Sequence, residues 1–282
     1  MSVKIVIDST VDLAENIKDK FTVVPLTINF GDEEYIDGVT ITHKEFYQKL
    51  IESDVLPITS QATPAVFSKV FNEIVDDGDT AVVITISQKL SGTYQSAMIA
   101  AEDFPEKIFV VDSNTVAIAS GILAELAFGL AEKGLSASEI AEKLTEERNN
   151  VRLIALLDTL EYLKRGGRIS KTVAFAGGML SLKPIICVEE GEIKMLGKAR
   201  GSKQGNNLLV QEIGKAGGVD FSKPVLLGYT GLSDAMLNKY IEDSAFLWEE
   251  SVAELNTAVV GSVVGTHAGP GVIAAAFFSK QG

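Results

Sequence analysis

Three short polar clusters carry residue types from which a ligand site can be built: Thr59-Ser60-Gln61, Ser91-Gly92-Thr93-Tyr94, and Gly265-Thr266-His267-Ala268-Gly269-Pro270-Gly271. The second lies in the run from Ala81 to Ala97, AVVITISQKLSGTYQSA, where an apolar stretch reading as a buried strand enters a hydroxyl-rich loop that opens a helix. The first N–H groups of a helix have no partner inside it and carry partial positive charge, so a phosphate or a carboxylate settles there. Ser91, Gly92 and Thr93 are small enough to admit one. The loop has neither a GxxxxGKS/T phosphate-binding pattern nor a GxSxG elbow, and no neighbouring His or Cys to make a nucleophile. Binding comes before chemistry in this reading.

In the third cluster a strand-like TAVVGSVVG enters a loop whose glycines allow close backbone approach, and the loop holds one of only two histidines in the chain. His267 can donate to a carboxylate from either ring nitrogen. Hydroxyls, a histidine and helix-start amides suit a carboxylate, whereas several phosphates would call for Lys or Arg in the cradle, and Lys89 is the only base near Ser91. The same hydroxyls also serve as helix caps, for which Thr59, Ser60 and Thr63 are well placed. His43, inside a helix starting at Thr42, reads as a surface residue. The segment LKRGGRIS at 163–170 is the one concentrated positive patch, and it should be exposed. It reads either as a Gly-Gly turn with Ser170 capping the next helix, or as Arg165 and Arg168 facing a phosphate or a partner.

The elements around these clusters read as two α/β halves, 1–150 and 151–282. In the first, VKIVID, TVVPLTINF, TAVVITIS and KIFVVD are strands between helices near 43–53, 64–75, 92–102 and 115–133, an order that gives a parallel sheet covered by helices. Thr42 with Glu45 and Ser136 with Glu139 are spaced as capping boxes, and Thr63-Pro64 reads as cap and first helical residue. Ligands collect beyond the carboxyl ends of such strands, where Asp8-Ser9-Thr10, Ser87 to Thr93 and Asp112-Ser113-Asn114 lie. In the second half VRLIALL, PIICVEEGEIKMLGKA, PVLLGYT and TAVVGSVVG read as strands, with helices near 171–181, 204–217, 232–250 and 270–278. Glu190-Gly191 signals a hairpin, so this sheet should be mixed. With no flexible linker, the two domains should pack around a cleft.

The 282 residues are 46% hydrophobic and carry a net charge of −13, which disfavours nucleic acid and anionic membrane surfaces as partners. No apolar run reaches the ~18 residues needed to span a bilayer, and no basic-then-apolar leader precedes the first strand, so a cytoplasmic protein is expected. Cys187, the single cysteine, cannot form an internal disulfide and reads as a structural thiol in a reducing compartment.

The segments DSTVDL at 8–13, TSQ at 59–61, LSGTYQSA at 90–97, LKRGGRIS at 163–170 and GTHAGPG at 265–271 resemble, in order, the signature segments of the DegV family. The usual TSQP is TSQAT here, with Pro64 displaced by two residues. The resemblance implies a bacterial lipid-transport protein without catalytic activity of its own, in which two α/β domains bury a long-chain fatty acid such as palmitate, with no other cofactor and no metal. Similar FakB carriers present the acyl chain to a separate ATP-dependent fatty acid kinase, which forms the acyl phosphate. By position the resemblance makes Thr59, Ser91 and His267 the carboxylate ligands, with Ser60, Gly92, Thr93 and Thr266 beside them. It makes Arg165 and Arg168 the contacts for kinase docking. Apolar helices such as 116–130 and 173–180 would wall the tunnel. A different reading is a hydrolase or acyltransferase, with Ser91 activated by His267 and oriented by Asp8 or Asp112; a third is a small-molecule regulatory subunit.

Overall fold

The computed structural model describes residues 2–169, 182–248 and 255–280. The first 150 residues supply β1 (Val3–Asp8), β2 (Thr22–Val24), β3 (Thr27–Phe30), β4 (Glu33–Ile36), α1 (His43–Glu52), β5 (Ile58–Ser60), α2 (Pro64–Asp76), β6 (Thr80–Thr85), α3 (Thr93–Ala101), β7 (Ile108–Asp112), α4 (Ile118–Glu132) and α5 (Ala137–Glu147). Four of these strands form a parallel sheet in the order β2-β1-β6-β7. Strand β6 is buried at every position, as its unbroken apolar run requires when helices cover both faces. Both expected capping boxes are formed, at Thr42/Glu45 and Ser136/Glu139; Thr63 caps α2 ahead of Pro64, without a side-chain hydrogen bond.

The expected strand over 22–30 is two strands in two sheets. Pro25 has no N–H to give a ladder, so β2 ends at Val24; β3 joins β4 and β5 in a small antiparallel sheet ordered β4-β3-β5. Helix α4 starts at Ile118, later than the expected 115, because Asn114 and Ala117 take left-handed backbone in the preceding turn.

The rest of the chain supplies β8 (Val151–Leu156), α6 (Glu161–Arg165), β9 (Leu182–Glu189), β10 (Glu192–Arg200), α7 (Gly201–Lys215), β11 (Leu226–Tyr229), α8 (Ala235–Asp243), α9 (Ala245–Trp248), β12 (Asn256–Val259), α10 (Ser262–Ala268) and β13 (Ile273–Phe278). Its strands form one mixed sheet in the order β10-β9-β8-β13-β11-β12, with only β11 and β12 parallel. The hairpin at Glu190-Gly191 is present, both residues having positive φ (51° and 78°), as a tight two-residue turn demands.

Three expectations are corrected here. The helix expected over 270–278 is β13: its alanines favour a helix in isolation, but the segment is wholly buried at the sheet centre, where small side chains let α4 pack against it. The strand TAVVGSVVG ends at Val259, and residues 262–268 are helical, so His267 lies in the last turn of α10 and not in a loop. The helix expected over 232–250 is two short ones, α8 and α9, up to Trp248. The helix expected near 171–181 and its cap Ser170 lie outside the described residues.

Helix α4 is the common core. It packs on β1 and β6 of the parallel sheet and on β8, β11 and β13 of the mixed sheet, burying Ile118, Ile122 and Leu123 between them. The outer face of the mixed sheet closes against a second core, to which Ile154 and Leu156 of β8 contribute along with Leu209, Tyr240 and Trp248. Val263 of α10 belongs to a third core, with α1, α2 and the far face of the parallel sheet. No helix among the described residues is long and apolar enough to cross a membrane.

Candidate functional site

Strand alternation sorts β8 into two faces: Ile154 and Leu156 point to the outer core, while Leu153 and Ala155, with Leu157 just past the strand, line a cavity of about 400 Å³. That volume lies in the range of small-molecule sites. Ile186 and Val188 of β9 and Ile193 of β10 extend the apolar wall. Of the expected wall 116–130, Val116 and Ala117 line the cavity, while Ile118 onward is core. The proposed wall at 173–180 lies outside the described residues.

The cavity is also lined by Thr59 on β5, Ser91 in the loop before α3, and His267 on α10. Thr59 Oγ1 and His267 Nε2 are 3.0 Å apart, joining residues 208 positions apart in sequence. The Ser91 hydroxyl lies 2.9 Å from Thr93 Oγ1. Ser60 and Gly92 line the cavity as well. Thr93 and Thr266 are buried and do not: the Thr266 hydroxyl donates to the Ser262 carbonyl (3.0 Å) within α10. Arg168 reaches the cavity, its guanidinium donating to the carbonyls of Leu90 (3.2 Å) and Gly166 (2.7 Å). Arg165 points away, exposed and paired with Glu161 at 2.9 Å.

Two glycines fit by their lack of a side chain. A Cβ on Gly92 would overlap the Gln61 carboxamide, and one on Gly166 would overlap Nδ1 of His267. Gln61 Nε2 donates to Ser96 Oγ on α3 (2.9 Å), so this side chain straps β5 to the helix behind Ser91. Sequence reasoning placed Gln61 in the cluster without giving it a role; its place two residues after Thr59 was the available signal.

Burial, reinforced by the adjacent Arg168 charge, pushes the His267 pKa down to about 4. The ring is therefore neutral near pH 7, with one nitrogen shared with Thr59 and Nδ1 buried without a partner. A neutral imidazole offers one donor and one acceptor, and with two hydroxyls beside it the set can hold a carboxylate or a carboxylic acid. The arrangement does not assemble a catalytic triad. Ser91 bonds Thr93 and not His267, Asp8 accepts from the N–H groups of Thr10 and Ile86, and Asp112 accepts from those of Asn114 and Gln88. No group of three or more His, Cys, Asp or Glu among the described residues is arranged to hold a metal ion.

His43, expected at the surface, is half-buried beside Asp37, and burial lowers its pKa despite that carboxylate. Cys187 is half-buried on β9, where burial and Glu189 push its thiol pKa up.

Comparison with known proteins places this geometry in a family. The model of a family described as "uncharacterised protein, DegV family" matches residues 2–280. A DegV domain-containing protein of Caldanaerobacter subterraneus is 36% identical over 283 residues, covering 99% of each chain. Among solved structures, a fatty-acid-binding DegV family protein from Thermus thermophilus superposes with a TM-score of 0.87 at 31% identity, over 99% of this chain and 100% of that one. A stearic acid-binding protein from Eubacterium ventriosum gives 0.86 at 30% identity, over 99% of both chains.

Proposed function

The chain belongs to the DegV family, and from that premise we propose that it is a carrier that binds one long-chain fatty acid, tail in the cavity and carboxylate on Thr59, Ser91 and His267. The observation that carries this reading is the apolar cavity whose lining includes that hydroxyl and imidazole set. Tail burial contributes about 0.8 kcal/mol per CH₂ and sets most of the affinity; the head-group bonds mainly fix orientation. The carboxylate accepts from the Thr59 and Ser91 hydroxyls and from an imidazole N–H. It draws further on the N–H groups at the start of α3.

The resemblance to FakB carriers supports a further step in the cytoplasm. A separate fatty acid kinase brings ATP, a carboxylate oxygen attacks the γ-phosphorus, and the bond to the ADP oxygen breaks to leave an acyl phosphate. Arg165 and Arg168 are the proposed kinase contacts, and His267 steadies the charge on the transferring group. Carrier and hydrolase are separated by titrating cis-parinaric acid into wild type and into Thr59→Val, Ser91→Ala and His267→Ala, with a fluorophosphonate probe in parallel. Weaker binding in the variants and no labelling of Ser91 are expected; covalent labelling at Ser91 would favour the hydrolase.

A further inference from the structure

His267 sits on a helix of seven residues, too short to hold its place by its own hydrogen bonds, so the contacts at its ends decide where the imidazole lies. Those at its start come from the first 50 residues of the chain. Asp12 Oδ1 accepts from the Gly261 N–H (2.7 Å), and the Tyr47 hydroxyl donates to the Val260 carbonyl (2.8 Å). Gly265 lets Phe46 and Tyr47 of α1 press against the helix, since a Cβ there would overlap both rings.

Asp12 is part of a buried polar cluster that the fatty-acid site does not use. Its Oδ2 is buried without a hydrogen-bond partner, while Asp37, also buried, faces the hydroxyls of Ser9 and Ser262 and the Ser262 N–H. The titratable groups facing them are His43 from α1, Lys18 from the 3-10 turn at 15–20, Asp8 from β1 and the phenol of Tyr47, with Glu15 facing His43 in turn. Two buried carboxyls with one half-buried histidine against them cannot both stay ionised at low energy, and the start of α10 offsets only part of one charge.

We propose that Asp12 and Asp37 are positioning residues for the carboxylate site: together they clamp the N-terminal end of α10 and thereby set the place of His267. The proposal rests on the reading of His267 as a head-group ligand. Burial raises the pKa of both aspartates, and the Asp37 charge raises that of Asp12 further. The clamp is therefore tight at lower pH and loosens as pH rises through the titration of the pair.

The test compares wild type, Asp12→Asn and Asp12→Leu. Asparagine keeps the oxygen that accepts from Gly261 and supplies a permanent N–H in place of the titratable carboxyl; leucine removes both. Cis-parinaric acid binding is measured over about pH 6 to 9, alongside NMR of ¹⁵N-histidine-labelled protein, in which His43 and His267 are the only two imidazoles. Wild-type affinity is expected to fall, and the His267 signal to move, with rising pH. Asp12→Asn should hold its low-pH affinity and signal throughout, and Asp12→Leu should bind about tenfold more weakly with a displaced His267 signal. If leucine prevents folding, the asparagine profile still decides. An Asp12→Asn variant whose affinity and His267 signal follow pH as wild type's do would overturn the proposal. A wild-type His267 signal that ignores fatty acid would instead remove the head-group reading, and the pH response in the absence of ligand would still test the clamp.

Discussion

Buried beside Arg168, His267 titrates near pH 4, against 6.5 for an ordinary histidine. The unfolded chain therefore takes up a proton below pH 6.5 that the folded site refuses, so this residue makes the fold less stable as pH falls from 6.5 towards 4. The full effect is about 3 kcal/mol at 1.36 kcal/mol per pKa unit. Thermal melts of wild type and His267→Gln should diverge in that window, the variant losing less stability; parallel curves would place the imidazole in water. Gly166→Ala should push His267 off Thr59, weakening fatty-acid binding about tenfold with little change in melting temperature, as calorimetry would show. Thr59, Ser91 and His267 were legible in the sequence by residue type and family motif. The Thr59–His267 contact was not, because 208 residues separate the two. His43 was misread for the same reason: Gly261, against which its ring lies, comes from the far end of the chain.

At the scale of elements, the hairpin of β9 and β10 links the cavity wall to the other half of the molecule. Gly191 at its tip is buried and accepts a hydrogen bond at its carbonyl from Ser87 Oγ (2.9 Å), beyond the end of β6, while Ile186, Val188 and Ile193 line the cavity. Gly191 has φ of 78°, and a Cβ there would crowd Ser87 and Asn114. Gly191→Ala should destabilise the protein by about 1–3 kcal/mol in urea melts and speed release of bound cis-parinaric acid. Unchanged release would mean that the hairpin tip has no part in closing the cavity. The hairpin was legible because Glu190-Gly191 is a local turn signal between apolar runs. Strand β13 was not, because its local preference is helical and its neighbours β8 and β11 override it. Strands β4 and β5 were missed because they are short and largely exposed, leaving no apolar alternation to read.

At the scale of the molecule, two sheets with α4 between them leave an apolar cavity whose walls come from both halves of the chain. Affinity should rise with acyl length by about 0.8 kcal/mol, or about fourfold, per CH₂ until the cavity is full, and then level off. Competition against cis-parinaric acid by saturated acids of increasing length would locate that limit; an affinity independent of length would place the tail outside. The alternation of strands and helices made the parallel sheet legible and the mixed sheet in part, whereas the cavity depends on packing that no local pattern encodes. The most direct measurement is native mass spectrometry of the purified protein, followed by denaturation and extraction of whatever small molecule it carries. About one fatty acid per chain is the predicted result; a reproducibly empty protein that also ignores added fatty acids would contradict the carrier.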